Sequence, residues 1–240
     1  MTQQFQLEKI RGTIFIPRIP YDWAFVKSLL STLVDYVPTV YGSPQVIDNV
    51  IYNPGDWALI SSDGSKRLFF QAQKVDFIFS SMGTYTQDRV TEFANSFGEV
   101  FEIIMAYQNK SATRLAFAPS FICPQPFMGT KGFLNKIYAE SKISFEGAQL
   151  DNCDFSQVFR LNKTIKGQEV LVNFLSKFYN GNVLMFNEKG ESTPSLITKA
   201  DFDINTLPQP DLVFSIEATK EFFINAPSYC DSFYNFYFAE

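Results

Sequence analysis

The residues best placed to do chemistry are Asp201, Asp203 and Asn205, in the run Asp-Phe-Asp-Ile-Asn. Residues two apart on a strand share a face. Three oxygen-bearing side chains therefore gather on one side, where they could hold Mg²⁺ or Ca²⁺. The run begins like a calcium loop, but the glycine such a loop needs is absent, and Leu212 stands where its bidentate acid belongs. The same residues before Pro208 and Pro210 also describe a solvated strand end. A carboxylate- and metal-dependent enzyme, a nuclease for instance, is the catalytic reading this cluster allows.

Other chemistries are narrower still. The chain has no histidine, so it has no Ser-His-Asp or Cys-His arrangement and no histidine-ligated metal. Ser192, Ser195 and Cys123 therefore lack the usual base. Gly129-Thr-Lys131-Gly132 has the look of a phosphate loop without its spacing. No cofactor fingerprint is present and no cofactor is expected. A second set, Lys66, Arg67, Lys74 and Arg114, lies on or beside the strands read below. It suits a local site for an anion or nucleic acid, or solvent-facing charge that guards strands from edge pairing. A third set is the aromatic end, Tyr229, Phe233, Tyr234, Phe236, Tyr237 and Phe238. It reads as a partner interface or as core packing, since rings at helical spacing usually face inward.

Composition sets the frame for these sites. Net charge is −5, which argues against a general nucleic-acid binder. Phe alone counts 27 among 240 residues, so the core should be rich in rings. The cysteines Cys123, Cys153 and Cys230 are widely spaced and form no Cys-x-x-Cys pair. They predict reduced thiols in a cytoplasmic protein. No run reaches membrane-spanning length, and the N-terminus lacks the order of a signal peptide. No membrane contact is expected.

The elements that must position the sites follow from periodicity. Leu7–Ile16 reads as a strand. Asp22 caps a helix whose stripe is Trp23, Val26, Leu29, Leu30, Leu33 and Val34, ended by Pro38. Residues 41–56 read as a loop holding one short strand at 45–52. Asp63-Gly64 joins Trp57–Ser61 to Arg67–Gln73 in a hairpin, because the pair supplies the positive φ such a turn demands. Lys74–Ser80 continues as strand. Thr84 and Thr86 offer caps to a long amphipathic helix, 87–109, with Gly98 as a point of close packing. Thr113–Phe121 is a strand, with Pro119 putting its far end at an edge or exit. A short helix at 130–139 lies in the connection 124–150. The second half reads as strands at 155–163 and 169–178, a hairpin at Asn180-Gly181, and strands at 182–186 and 196–204. Asp211 then caps a helix, and a docked aromatic helix closes the chain. The expected class is α+β, mainly antiparallel, in two sheet-plus-helix halves, 1–123 and 151–240, which can also form one compact domain.

Several of these pieces resemble an uncharacterised, sporadically distributed prokaryotic family of roughly this length. They are Trp57-Ala-Leu-Ile-Ser-Ser-Asp63-Gly64, the helix through Phe93–Ile104, Arg114-Leu115, Asp201-Phe-Asp203 and the aromatic end. The family's N-terminal Pro-Pro-Ile-Val-Glu signature is missing. The resemblance implies a link to mobile or phage-defence loci and carries no catalytic residues. Together with the missing histidine, it leads to the expectation of a non-catalytic protein-interaction or sensor module. Its partner would be another protein or a second copy of the chain. The metal enzyme above and a small-ligand-binding protein remain alternatives.

Overall fold

The computed structural model describes residues 5–47, 50–123, 155–186 and 192–238. In chain order the elements are β1 (Gln6–Phe15), α1 (Trp23–Leu30), β2 (Tyr36–Val40), β3 (Gln45–Ile47), β4 (Val50–Tyr52), β5 (Trp57–Ser61), β6 (Lys66–Phe70), β7 (Val75–Thr84) and α2 (Gln87–Gln108). After them come β8 (Arg114–Cys123), β9 (Phe155–Ile165), β10 (Gln168–Phe186), β11 (Ser192–Thr206) and α3 (Ile216–Phe238). Nine strands form one antiparallel sheet in the order β2-β5-β6-β7-β1-β8-β11-β10-β9, and β3 and β4 form a separate hairpin. The class is α+β, with the long helix packed on the sheet as its apolar stripe predicts.

Two units of similar plan make up the sheet. Each first strand, β1 or β8, has the last strand of its unit, β7 or β11, along its outer side, and a helix follows that last strand. The two first strands pair with each other in the middle, Ile10 opposite Pro119 and Gly12 opposite Phe117. The sheet is thus continuous from one half of the chain to the other.

Alternation decides the two faces. On β1, Ile10 and Ile14 enter the core while Lys9 and Arg11 line a groove on the opposite face. The helices cover the first face. Phe97 and Phe101 of α2 meet Phe223 of α3 at 6.1 and 5.3 Å between ring centroids, and Lys220 pairs with Glu102 at 2.8 Å. Gly12 lets α2 come close, since a Cβ there would lie 2.5 Å from the Phe97 ring. The hairpin of β3 and β4 lies on the other face, with Tyr52 against Tyr41 and Phe69.

Local signals hold at most boundaries. Asp22 accepts from the Ala24 amide, and Thr86 caps α2 by accepting from the Arg89 amide. Asp63 accepts from the hydroxyls of Ser61 and Ser65 across the β5–β6 turn. Elsewhere tertiary structure overrides the local signal. Trp23 is half-exposed, and Phe25 takes its expected place in the core. Pro38 sits in edge strand β2, where its missing N–H is tolerated. Pro119 is not at an edge but in the middle of the sheet. The β8–β11 ladder skips there, from Asp201–Ser120 to Ile204–Phe117, so the absent N–H breaks no bond that the ladder uses. Asn180-Gly181 makes no turn, because β10 runs straight through it with Gly181 opposite Ile197. Asp211 has φ +65° and lies in a turn, whereas Ser215 accepts from the Ala218 amide at the start of α3. Gly98 needs no close packing, since an added Cβ would meet only Lys220 Cγ at 3.9 Å. The expected helix at 130–139, the glycine-rich run at 129–132 and Cys153 lie outside the described residues. Cys123 and Cys230 are buried thiols.

Candidate functional site

The face away from the helices carries a groove of about 740 Å³. Two registered rows of side chains build it, and a third continues the same face beside it. In one row Arg67 lies opposite Ile78, Ile78 opposite Arg11, and Arg11 opposite Ala118. In the next, Ser80 faces Lys9, Lys9 faces Ser120, Ser120 faces Asp201, and Asp201 faces Lys177. The third runs through Asp76, Thr13, Ala116, Asn205 and Asn173. Small residues of β8, namely Ala116, Ala118 and Ser120, thus lie between the longer side chains of β1 and β11.

The cations Lys9, Arg11, Arg67, Lys177 and Lys199 line the groove together with the acids Glu8, Asp201 and Asp203. The groove is therefore locally positive on a chain of net charge −5. The signs are unevenly spread. Lys199 crosses to Glu8 at 3.0 Å, and Lys177 stands over the ring of Tyr179, 4.9 Å from its centroid. On the β6–β1 side, Arg67, Arg11 and Lys9 form a cationic wall. Among the described residues, three buried polar atoms of lining residues have no hydrogen-bond partner, namely Arg11 Nε, Asp203 Oδ1 and the Tyr52 hydroxyl. Tyr52 is 1% exposed. Burial, reinforced by Tyr41, Asp76 and Asp56, pushes its pKa well above the usual phenol value, so it remains a neutral hydroxyl.

The structure places Asp201, Asp203 and Asn205 on one face of β11, as their spacing predicts. Two of them already have partners. Asp201 Oδ2 accepts from the Tyr179 hydroxyl at 2.9 Å, and Asn205 Oδ1 accepts from Arg114 Nη2 at 2.9 Å. Among the described residues no three Asp, Glu, Cys or His side chains come together to hold a metal. The four basic residues do not form one patch. Arg67 lines the groove. Lys66 stands over Phe79 on the helix side, 5.7 Å from the ring. Lys74 pairs with buried Asp76 at 2.6 Å. Arg114 is held by Asn205 and the Thr206 carbonyl over the ring of Phe15.

The aromatic end packs mostly onto the sheet. Phe233 stacks on Phe202, Tyr234 on Tyr85 and Phe238 on Phe5, while Tyr237 meets Phe178. Tyr229 and exposed Phe236 line an apolar groove of about 520 Å³ between α3 and β9. Sequence reasoning missed Lys9, Arg11, Lys177 and Lys199. Their signal was period two: Lys9, Arg11 and Thr13 alternate with Ile10, Gly12 and Ile14.

No model of a known protein family matches the chain, and no curated protein matches it. Among the described residues no helix is long and apolar enough to cross a membrane.

Proposed function

We propose that the protein is a non-catalytic interaction module that holds an acidic segment of a partner protein against the open face of its sheet. The observation that carries this is the cationic wall of Lys9, Arg11 and Arg67 over a floor of small side chains, on a chain that is acidic as a whole. Asp201 and Asp203 line the opposite side of the same groove. A phosphate backbone offers these carboxylates acceptors only, whereas a polypeptide presents both donors and acceptors. Asp201 and Asn205 are engaged by Tyr179 and Arg114, which favours binding over metal-assisted catalysis.

The test is fluorescence anisotropy with a labelled octapeptide of alternating Glu and Ala, titrated at low and at physiological salt. Binding should weaken with salt and fall at least about tenfold in the Lys9→Glu, Arg67→Glu double variant, whose two reversals oppose the peptide's charge. Affinity that ignores both charge reversals overturns the proposal.

A further inference from the structure

We infer that Lys199 is a carboxylate-binding position of the groove, and that Glu8 holds it from within the chain until an acid of the partner takes its place. This rests on the groove being the binding site. In the sheet β8 lies between β1 and β11. Lys199 Nζ, from β11, reaches Glu8 of β1 at 3.0 Å on Oε1 and 3.3 Å on Oε2, so the ion pair crosses over β8. Both residues line the groove.

The backbone puts Glu8 there. Strict alternation back from Ile10 would send Glu8 to the core and Leu7 to the groove. Instead both ladders of β1 shift register between Leu7 and Lys9, whose partners on β8, Phe121 and Ser120, are adjacent. Glu8 is the extra residue of a β-bulge. The bulge lets Leu7 and Ile10, three apart, both enter the core, and it turns Glu8 and Lys9 together into the groove. Bulges re-aim side chains beside functional sites; this one sets a carboxylate into a cationic wall. The side chains of Lys199 and Glu8 are 21% and 26% exposed, so a ligand can reach both. The Lys74–Asp76 pair differs, since its acid is 1% exposed. The stem of Lys199 lies over Gly181, its Cδ 3.4 Å from where a Cβ would be, which positions the ammonium independently of Glu8. A half-wet pair of flexible side chains contributes little to folding. An incoming carboxylate replaces the bond to Glu8 with one of the same kind, and Glu8 turns to water. A neutral segment offers Lys199 no such replacement. The pair therefore selects for acids at this position, and it lowers the affinity even of an acidic partner.

The experiment repeats the anisotropy titration of the labelled Glu-Ala octapeptide on four versions of the 240-residue chain: wild type, Glu8→Gln, Lys199→Gln and the double variant. Glu8→Gln should bind about three- to fivefold more tightly, the worth of a partly exposed ion pair. Lys199→Gln should change the wild-type affinity by no more than about twofold, because the bond gained with the peptide replaces the bond lost with Glu8. In the Glu8→Gln background the same change should cost the whole gain, about three- to fivefold. Glu8→Ala should repeat the behaviour of Glu8→Gln, which keeps the test independent of how one variant folds. If charge acts only through the general field of the groove, Lys199→Gln costs the same in both backgrounds, and that additive result overturns the inference. An unchanged affinity in both Glu8 variants overturns it too. In either case the proposed function stands as long as the wild type binds with the expected salt dependence; if no version binds the peptide, both fail.

Discussion

Asp76 pins β7 to β1 beside the groove, and removing it has a calculable cost. Its side chain is 1% exposed. Thr13 donates to Asp76 Oδ1 at 2.6 Å and Lys74 donates to Oδ2 at 2.6 Å. Asp76→Ala removes a charge-assisted bond worth about 1.5–3 kcal/mol and leaves the Thr13 hydroxyl buried without a partner, a further ~1 kcal/mol. Lys74 is 29% exposed and can turn to water, so the larger penalty for a stranded buried charge does not apply. The expected loss is about 3 kcal/mol. Urea unfolding, followed by the emission of Trp57, measures it. That indole is buried, stacked on Phe70 at 3.7 Å and hydrogen-bonded to the Ile19 carbonyl. With a slope of roughly 3 kcal/mol/M for a chain of this size, the midpoint should fall by about 1 M. Thr13→Val alone should cost about 1 kcal/mol, and the double variant less than the sum, because the two residues act on each other. A midpoint shift below about 0.3 M at unchanged slope, or strict additivity, refutes the assignment of this contact as the pin.

Two glycines where α2 meets the sheet, Gly98 of α2 and Gly12 of β1, should respond in opposite directions. Gly98→Ala places its Cβ in open contact and should raise stability by about 0.5–1 kcal/mol in the same assay. Gly12→Ala drives a Cβ into the Phe97 ring and should lower it by about 1–3 kcal/mol; equal effects would show that the spacing of α2 over β1 is misjudged. Asp63 supplies a pH test. The Ser61 hydroxyl first, then the Ser65 amide and hydroxyl, hold its carboxyl at about 2, below the ordinary 3.8. A depressed folded value means that the carboxylate contributes stability above the ordinary range and loses it as pH falls from about 4 to 2. The difference in melting temperature between the wild type and Asp63→Asn should be full at pH 6 and close across that window. A gap that does not change with pH would refute it.

What could be read from the sequence was what neighbours in the chain decide. Asp22 and Thr86 act within a few residues and cap as their types predict, and the hairpin at Asp63-Gly64 forms with a positive φ at Gly64 alone of the pair. Gly167, with φ of 77° in the β9–β10 turn, likewise takes the left-handed conformation that glycine favours. Asn180-Gly181 carries the same local signal and loses to long-range pairing. Its strand is held from Val172 to Phe186 against β11, and the stem of Lys199 packs at 3.4 Å from where a Gly181 Cβ would be. Pro119 likewise reads as an exit, because sequence does not reveal that the ladder on its β11 side skips a step there. The common face of Asp201, Asp203 and Asn205 was legible from period two. Their use was not. Tyr179 and Arg114, which engage two of them, arrive from β10 and β8, and Arg11 comes from the other end of the chain.

The groove is better explained by occupancy than by exposure alone. A solvent-facing sheet centre normally carries long polar side chains on every strand, or is covered by apolar packing. Here β1 and β11 carry long charged side chains while β8, between them, carries Ala116, Ala118 and Ser120. Those three are buried although, among the described residues, no helix lies over this face; their neighbours on β1 and β11 stand taller. If the face existed only to meet water, Lys or Thr on β8 would serve solubility and β-propensity better than alanine. Small residues on β8, the strand by which the second unit pairs with β1 of the first, instead give the groove its floor along the line where the units join. The walls of that groove come from different halves of the chain, Arg11 from the first and Asp203 from the second. Pairing β1 with β8 therefore builds the site as well as the sheet.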